Sequence, residues 1–146
     1  MEPISFIVPV TPASMQGAGK RAMCMGGRVV FFKEKRAKDW IKVVGFYANP
    51  HAPKKPIEGA IKMTVTFVMK RPASLNAKKF TTGRIPCAKR PDTDNLCKCL
   101  TDSLIGFWED DAQITELHAS KWYAAKTEQP KIVITIESIN TDERTN

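Results

Sequence analysis

The chain is short of cysteine, histidine and long apolar runs, and each shortage removes a class of function. Four cysteines in 146 residues are too sparse for a disulfide scaffold, so Cys24, Cys87, Cys97 and Cys99 read as free thiols. The two histidines, His51 and His118, leave little to complete a zinc site. Cys97 and Cys99 stand two apart on a predicted helix and point to different sides, which makes them poor joint ligands. No apolar stretch approaches the ~20 residues that cross a bilayer. Met1-Glu2-Pro3-Ile4 has neither the basic start nor the apolar core of a signal peptide. A cytoplasmic protein without a membrane partner is expected. A Gly-rich phosphate loop is missing, which disfavours a nucleotide cofactor. An EF-hand fails on spacing, because Leu96 stands where Asp or Asn belongs and Cys97 where Gly belongs. There is no repeat and no linker, so one domain is expected over residues 1–139, with a polar tail at 140–146.

Acids are also scarce, except in one segment. Residues 91–120 hold Asp92, Asp94, Asp102, Glu109, Asp110, Asp111 and Glu116 against a single base, Lys98. The rest is strongly basic, giving a net charge of +8 and a pI of about 9.5. A basic chain attracts polyanions through phosphate contacts and counterion release. A compact set of carboxylates within it repels them unless a divalent cation stands between. That pairing suits a metal-dependent nuclease.

The periodicities predict an α+β fold, a mixed sheet with two main helices packed on it. Ile61–Met69 alternates with period two, so Ile61, Met63, Val65, Phe67 and Met69 share one face. Ile4–Val10 and Arg28–Phe32 read as short strands, and residues 11–27 as a loop. A first helix runs from Lys33 to about Ala48 on the stripe Ala37, Trp40, Ile41, Val44 and Tyr47 or Ala48. A second covers 93–105 on Leu96, Leu100 and Leu104, closed by Gly106. Between strand and second helix, residues 70–91 form a long basic loop, of a length that is usually functional. Ala112–Tyr123 is expected to be a strand that pairs with Lys131–Ile136 across Glu128-Gln129-Pro130.

Asp92 and Asp94 flank the start of the second helix. Hard cations such as Mg²⁺ prefer carboxylate oxygens and keep several waters. Asp111, at the mouth of the next strand, offers a third ligand if that strand lies beside the helix N-terminus. Spacing alone does not separate it from Asp110. Around Mg²⁺, such acids would activate water and offset charge on a phosphoryl transition state. The plainer account is that Asp92 caps the helix and Asp94 occupies its favourable first turn. Lys98, one turn after Asp94, either pairs with it or binds the scissile phosphate. Asp102 supports Lys98. His118, within a strand, reads as structural.

The residues Lys89-Arg90-Pro91-Asp92-Thr93-Asp94-Asn95-Leu96-Cys97-Lys98, then Asp102 and Leu104, then Gly106-Phe107-Trp108-Glu109-Asp110-Asp111-Ala112-Gln113-Ile114, resemble the RusA family of Holliday junction resolvases. The resemblance implies a small homodimeric endonuclease that uses Mg²⁺, with Mn²⁺ as a substitute, to nick symmetric strands of a four-way DNA junction. It places the metal-binding acids on Asp92, Asp94 and Asp111, favouring Asp111 over Asp110, and the catalytic lysine on Lys98. Lys20, Arg21, Lys89 and Arg90 are the expected phosphate contacts. Two alternatives are a DNA-binding protein that holds junctions without cutting, and a nuclease acting more broadly on flaps and forks.

Overall fold

In the computed structural model, residues 1–13, 21–25, 28–32 and 35–140 are described; for 21–25, 28–32 and Lys35 this extends to the backbone alone. The most apolar strand, β4 (Ile61–Met69), lies at the centre of a five-stranded sheet ordered β1-β7-β4-β6-β5. Its expected stripe is buried throughout, with Ile61, Met63 and Phe67 fully enclosed. β1 is Ile4–Val8, β5 is Ile85–Pro86, β6 is Ile114–Tyr123 and β7 is Lys131–Ser138. β4 pairs parallel with β6, placing Met63 beside Leu117, and antiparallel with β7, placing Val65 beside Ile134. β7 in turn pairs antiparallel with β1. This is a single α+β domain, a mixed sheet carrying two helices.

The expected β6–β7 hairpin is not formed. β4 lies between the two strands, and the chain from Ala124 to Pro130 steps past it. Parallel β4 and β6 need a crossover connection rather than a tight turn. That crossover holds β5 and α2, a helix over Thr93–Ser103. Leu96, Cys97, Leu100 and, just beyond the helix, Leu104 are buried in the core with Phe107 and Trp108. Burying each of those leucines contributes roughly 2 kcal/mol. Gly106 sits two residues past the C-cap Leu104, with φ +90° that a side chain resists. The other helix, α1 (Lys35–Ala48), buries Ala37, Val44 and Ala48, while Tyr47 faces outward.

Two other expectations are corrected. Part of the supposed loop at 11–27 is a strand: β2 (Arg21–Met25) pairs antiparallel with β3 (Arg28–Phe32) in a separate two-stranded ribbon. The basic stretch 70–91 is also more ordered than expected, with a 3-10 turn at Ala73–Asn76 and β5. Arg71 organises it by donating to the carbonyls of Leu75, Thr81, Gly83 and Ala124 at 2.7–3.2 Å. Arg84 clamps Glu128 through Nε and Nη2, and Lys131 adds a second cation at 3.1 Å.

The Arg84 hydrogen bond is the main reason the Glu128 carboxyl is held down at about 2 rather than 4.5. A depressed carboxylate adds stability above its unfolded value and loses it as pH falls through its folded one. Glu128→Gln is therefore expected to lower stability by roughly 1 kcal/mol at neutral pH. The difference from wild type should shrink between about pH 4.5 and 2. Thermal melts across that range check it.

Candidate metal and DNA site

α2 starts where the basic stretch ends, because Lys121 of β6 holds the junction. Its Nζ donates to the carbonyls of Lys89 and Pro91. Pro91, after a cis peptide bond from Arg90, delivers the chain to Asp92. Lys121 was missed from the sequence. It lies on the face of β6 that otherwise carries Leu117 and Ala119, and a lone lysine among such positions was the available signal.

Asp92 occupies the N-cap position of α2 with extended backbone, and its carbonyl accepts from Leu96 N–H at 3.1 Å. Its carboxylate makes no capping hydrogen bond, so the plain capping account does not apply. Asp94 follows in the first turn, exposed. Its negative charge reaches the Cys97 thiol, which is pushed up to about 11, first by burial and then by Asp94. That thiol stays protonated at neutral pH and is no nucleophile.

Lys98 is exposed one turn along. No ion pair within 4.0 Å joins it to Asp94 or Asp102; among the described residues such pairs link Arg84 and Lys131 to Glu128, and His118 to Glu116. The ammonium is thus unclaimed by the pairs expected of it. His118 is not a core residue but exposed, 3.8 Å from Glu116.

The segment before β6 is a turn and not extended chain. Asp111–Gln113 forms a 3-10 turn capped by Asp110, whose Oδ1 accepts from Ala112 N–H at 2.9 Å. Gln113 completes the box by accepting from Asp110 N–H at 3.0 Å and ties the turn down by donating to Ile57 and Gly59 carbonyls. Asp110 is thereby engaged in a cap. Asp111 points elsewhere, with Oδ1 accepting from Trp108 Nε1 at 2.8 Å and the residue exposed.

The three acids do not converge within one chain. Among the described residues, no three His, Cys, Asp or Glu side chains stand together as a metal site. Asp92 and Asp94 share the head of α2, while Asp111 precedes the opposite end of β6 from Lys121. Lys89 and Arg90 are exposed beside Asp92. Lys20 lies outside the described residues, and of Arg21 only its backbone place at the start of β2 is described.

The family model for endodeoxyribonuclease RusA matches residues 9–137, which contain α2, β4 to β6, β7 but for its last residue, and all of Asp92, Asp94, Lys98 and Asp111. The chain belongs to the RusA family. No individually curated protein matches it. Membership makes it an endodeoxyribonuclease of the Holliday junction-resolving class, a hydrolase acting on branched DNA. RusA-type nucleases generally depend on divalent metal. The donors at the head of α2 fit such an ion: Mg²⁺ is commonly held by one or two carboxylates plus substrate phosphate and water. Asp92 and Asp94 offer hard oxygen donors: the Asp92 carboxylate makes no capping bond, and among the described residues neither acid is held in an ion pair. No described helix is long and apolar enough to cross a membrane.

Proposed function

We propose that this RusA-family protein nicks symmetric strands of a four-way DNA junction as a homodimer, using Mg²⁺ at Asp92, Asp94 and Asp111. One observation carries the reading. The Asp92 carboxylate, at the N-cap of α2, is left out of the cap although that is where an aspartate ordinarily makes one.

Mg²⁺, when bound, supplies charge neutralisation at the scissile phosphate and an activated water. The chain's own residues do the rest. The first turn of α2 presents unpaired backbone N–H groups, which favour a phosphate at the helix head. Lys98 projects one turn along, without an ion-pair partner among the described residues, and steadies charge on the phosphate oxygens. Lys89 and Arg90 bind the flanking backbone, and Lys121 keeps that segment in place through the Lys89 and Pro91 carbonyls. A two-fold dimer matches the two-fold symmetry of a four-way junction, so paired nicks follow from paired sites.

The test is a cleavage assay on synthetic four-way junctions, forks and flaps with Mg²⁺, with Mn²⁺, and with chelator. Symmetric nicks on the four-way junction in either metal and none in chelator are expected. Junction binding without product in Mg²⁺ and Mn²⁺ would overturn the catalytic reading. Equal rates on forks and flaps would replace junction selectivity with a broader nuclease.

A further inference from the structure

We propose that the cleft between Lys70, Arg71 and Lys126, where β4 and β6 finish, is a second phosphate site, and that it holds one backbone phosphate of the DNA arm leaving the cut. The place of the cut rests on the reading given above; the case for the cleft does not use the metal.

Four strands end or begin at this rim. β4 and β6 run parallel and stop together, Met69 beside Tyr123, with Ala124 N–H bonding the Met69 carbonyl at 2.8 Å. β7 begins and β1 ends at the same edge, where Val68 faces Lys131 and Ile132 faces Val8. The chain thereby gathers Thr11, Lys70 and Lys126, three residues from three connections. The stretch after β4 folds back over them, tied by Arg71 and by Lys126 N–H to the Thr82 carbonyl at 2.9 Å. A cavity of about 370 Å³ remains, with Asn76 and Glu128 also in its wall.

Its charge is one-sided. Among the described residues Glu128 is the only acid that lines it, and that carboxylate is already engaged. Oε1 accepts from Arg84 Nε and from Ala125 N–H, and Oε2 accepts from Arg84 Nη2, with Lys131 Nζ 3.1 Å away. Lys70 and Lys126 are exposed, and neither is in an ion pair among the described residues. Arg71 is the decisive member. Its Nη atoms donate to four carbonyls, which are neutral, so its charge is left uncompensated. Its Nε is enclosed and has no hydrogen-bond partner. Charges taken out of water are ordinarily paired with the opposite sign. A cleft lined by one sign of charge focuses its field and draws a counter-ion. Thr11 and Asn76 add a hydroxyl and an amide, neutral groups that commonly donate to phosphate oxygens. No aromatic side chain lines the cleft, so a base has nothing to stack on and the phosphate is what it reads.

The cleft also lies within reach of the cut. Lys121 holds the Lys89 and Pro91 carbonyls beside Asp92, and Lys126 follows five residues later. Five residues span at most ~17 Å. One DNA strand covers that distance in about five nucleotides. A phosphate held in the cleft, which offers no free carboxylate for a metal, positions the arm so that the scissile phosphate arrives at the head of α2.

Junction binding tests this. Lys70 and Lys126 are exposed and outside the catalytic set, whereas Arg71 orders the stretch and is left in place. Lys70→Gln with Lys126→Gln is compared with wild type by anisotropy on a labelled four-way junction in chelator. Failure of the metal reading therefore leaves this test standing. The double variant is expected to bind about fivefold more weakly near ~0.1 M salt, and to lower the slope of log affinity against log salt by about one. Single neutral methylphosphonate linkages are then walked along the arm. One position within about five nucleotides of the cut should cost the wild type the same fivefold, and the double variant nothing further. A double variant that binds like the wild type overturns the site. So does a scan in which every position costs both proteins alike, which means general charge attraction. The wild-type scan decides by itself as well, because the site fails if no position stands out. In a parallel titration, inorganic phosphate is added and the backbone amides of Lys70, Arg71 and Lys126 are followed by NMR. Shifts there without a position-specific methylphosphonate effect would assign the cleft to free phosphate and overturn its place on DNA.

Discussion

Asp94→Asn is expected to lose junction cleavage by at least about a hundredfold while binding the junction more tightly than the wild type in the absence of metal, because one repelling carboxylate is gone. The substitution keeps the shape of the side chain and removes a hard anionic donor. Asp94 is exposed in the first turn of α2, so folding does not depend on it. Its sign on binding is the sharper measurement. Salt normally weakens protein–DNA complexes by competing for phosphates. If the head of α2 repels phosphate until Mg²⁺ neutralises it, the wild type should bind more tightly on addition of millimolar Mg²⁺, against that trend. Asp94→Asn should show only the ordinary weakening. Fluorescence anisotropy on a labelled junction at constant ionic strength reads both. Undiminished nicking by Asp94→Asn would remove this carboxylate from the metal site.

The parts of this molecule that were legible in the sequence are those whose causes are local. Ile61–Met69 alternates because a central strand covers one face with the core, and Leu96, Leu100 and Leu104 recur because one side of α2 does the same. The acids at the head of α2 were legible because their charge departs from everything around them. Pairing partners were not, since no residue in β6 or β7 records that β4 lies between them. A turn rich in polar residues looks the same whether it closes a hairpin or steps over a strand. The separate parts of Asp110 and Asp111 were hidden for a related reason. They depend on Gln113, which fixes the turn by bonds to Ile57 and Gly59 more than fifty positions away. The trio proposed for the metal was chosen by residue type, and its failure to converge in one chain is a matter of strand length and direction, visible only in three dimensions.

Arg71 shows the same limit with a larger energetic consequence. In a stretch dense with lysine and arginine, nothing in the sequence sets it apart from its neighbours. In the structure its guanidinium is turned inward, donating to four carbonyls from Leu75, Thr81, Gly83 and Ala124. Those bonds join the end of β4, the stretch that returns to β5, and the chain leaving β6. Lysine cannot reproduce them, because a single ammonium lacks the planar fork. Arg71→Met keeps the apolar stem and leaves the carbonyls without their donor. It is expected to cost about 3 kcal/mol, the range for charge-assisted bonds with partly buried acceptors. The damage should be regional before it is global. Hydrogen exchange should quicken first across 72–86, while amides of β4 and β7 keep their protection until the whole domain opens. Cleavage should fall as well, because this stretch leads into the segment that Lys121 ties beside Asp92. An Arg71→Met protein with unchanged exchange across 72–86 would mean that the clamp is not what orders the stretch.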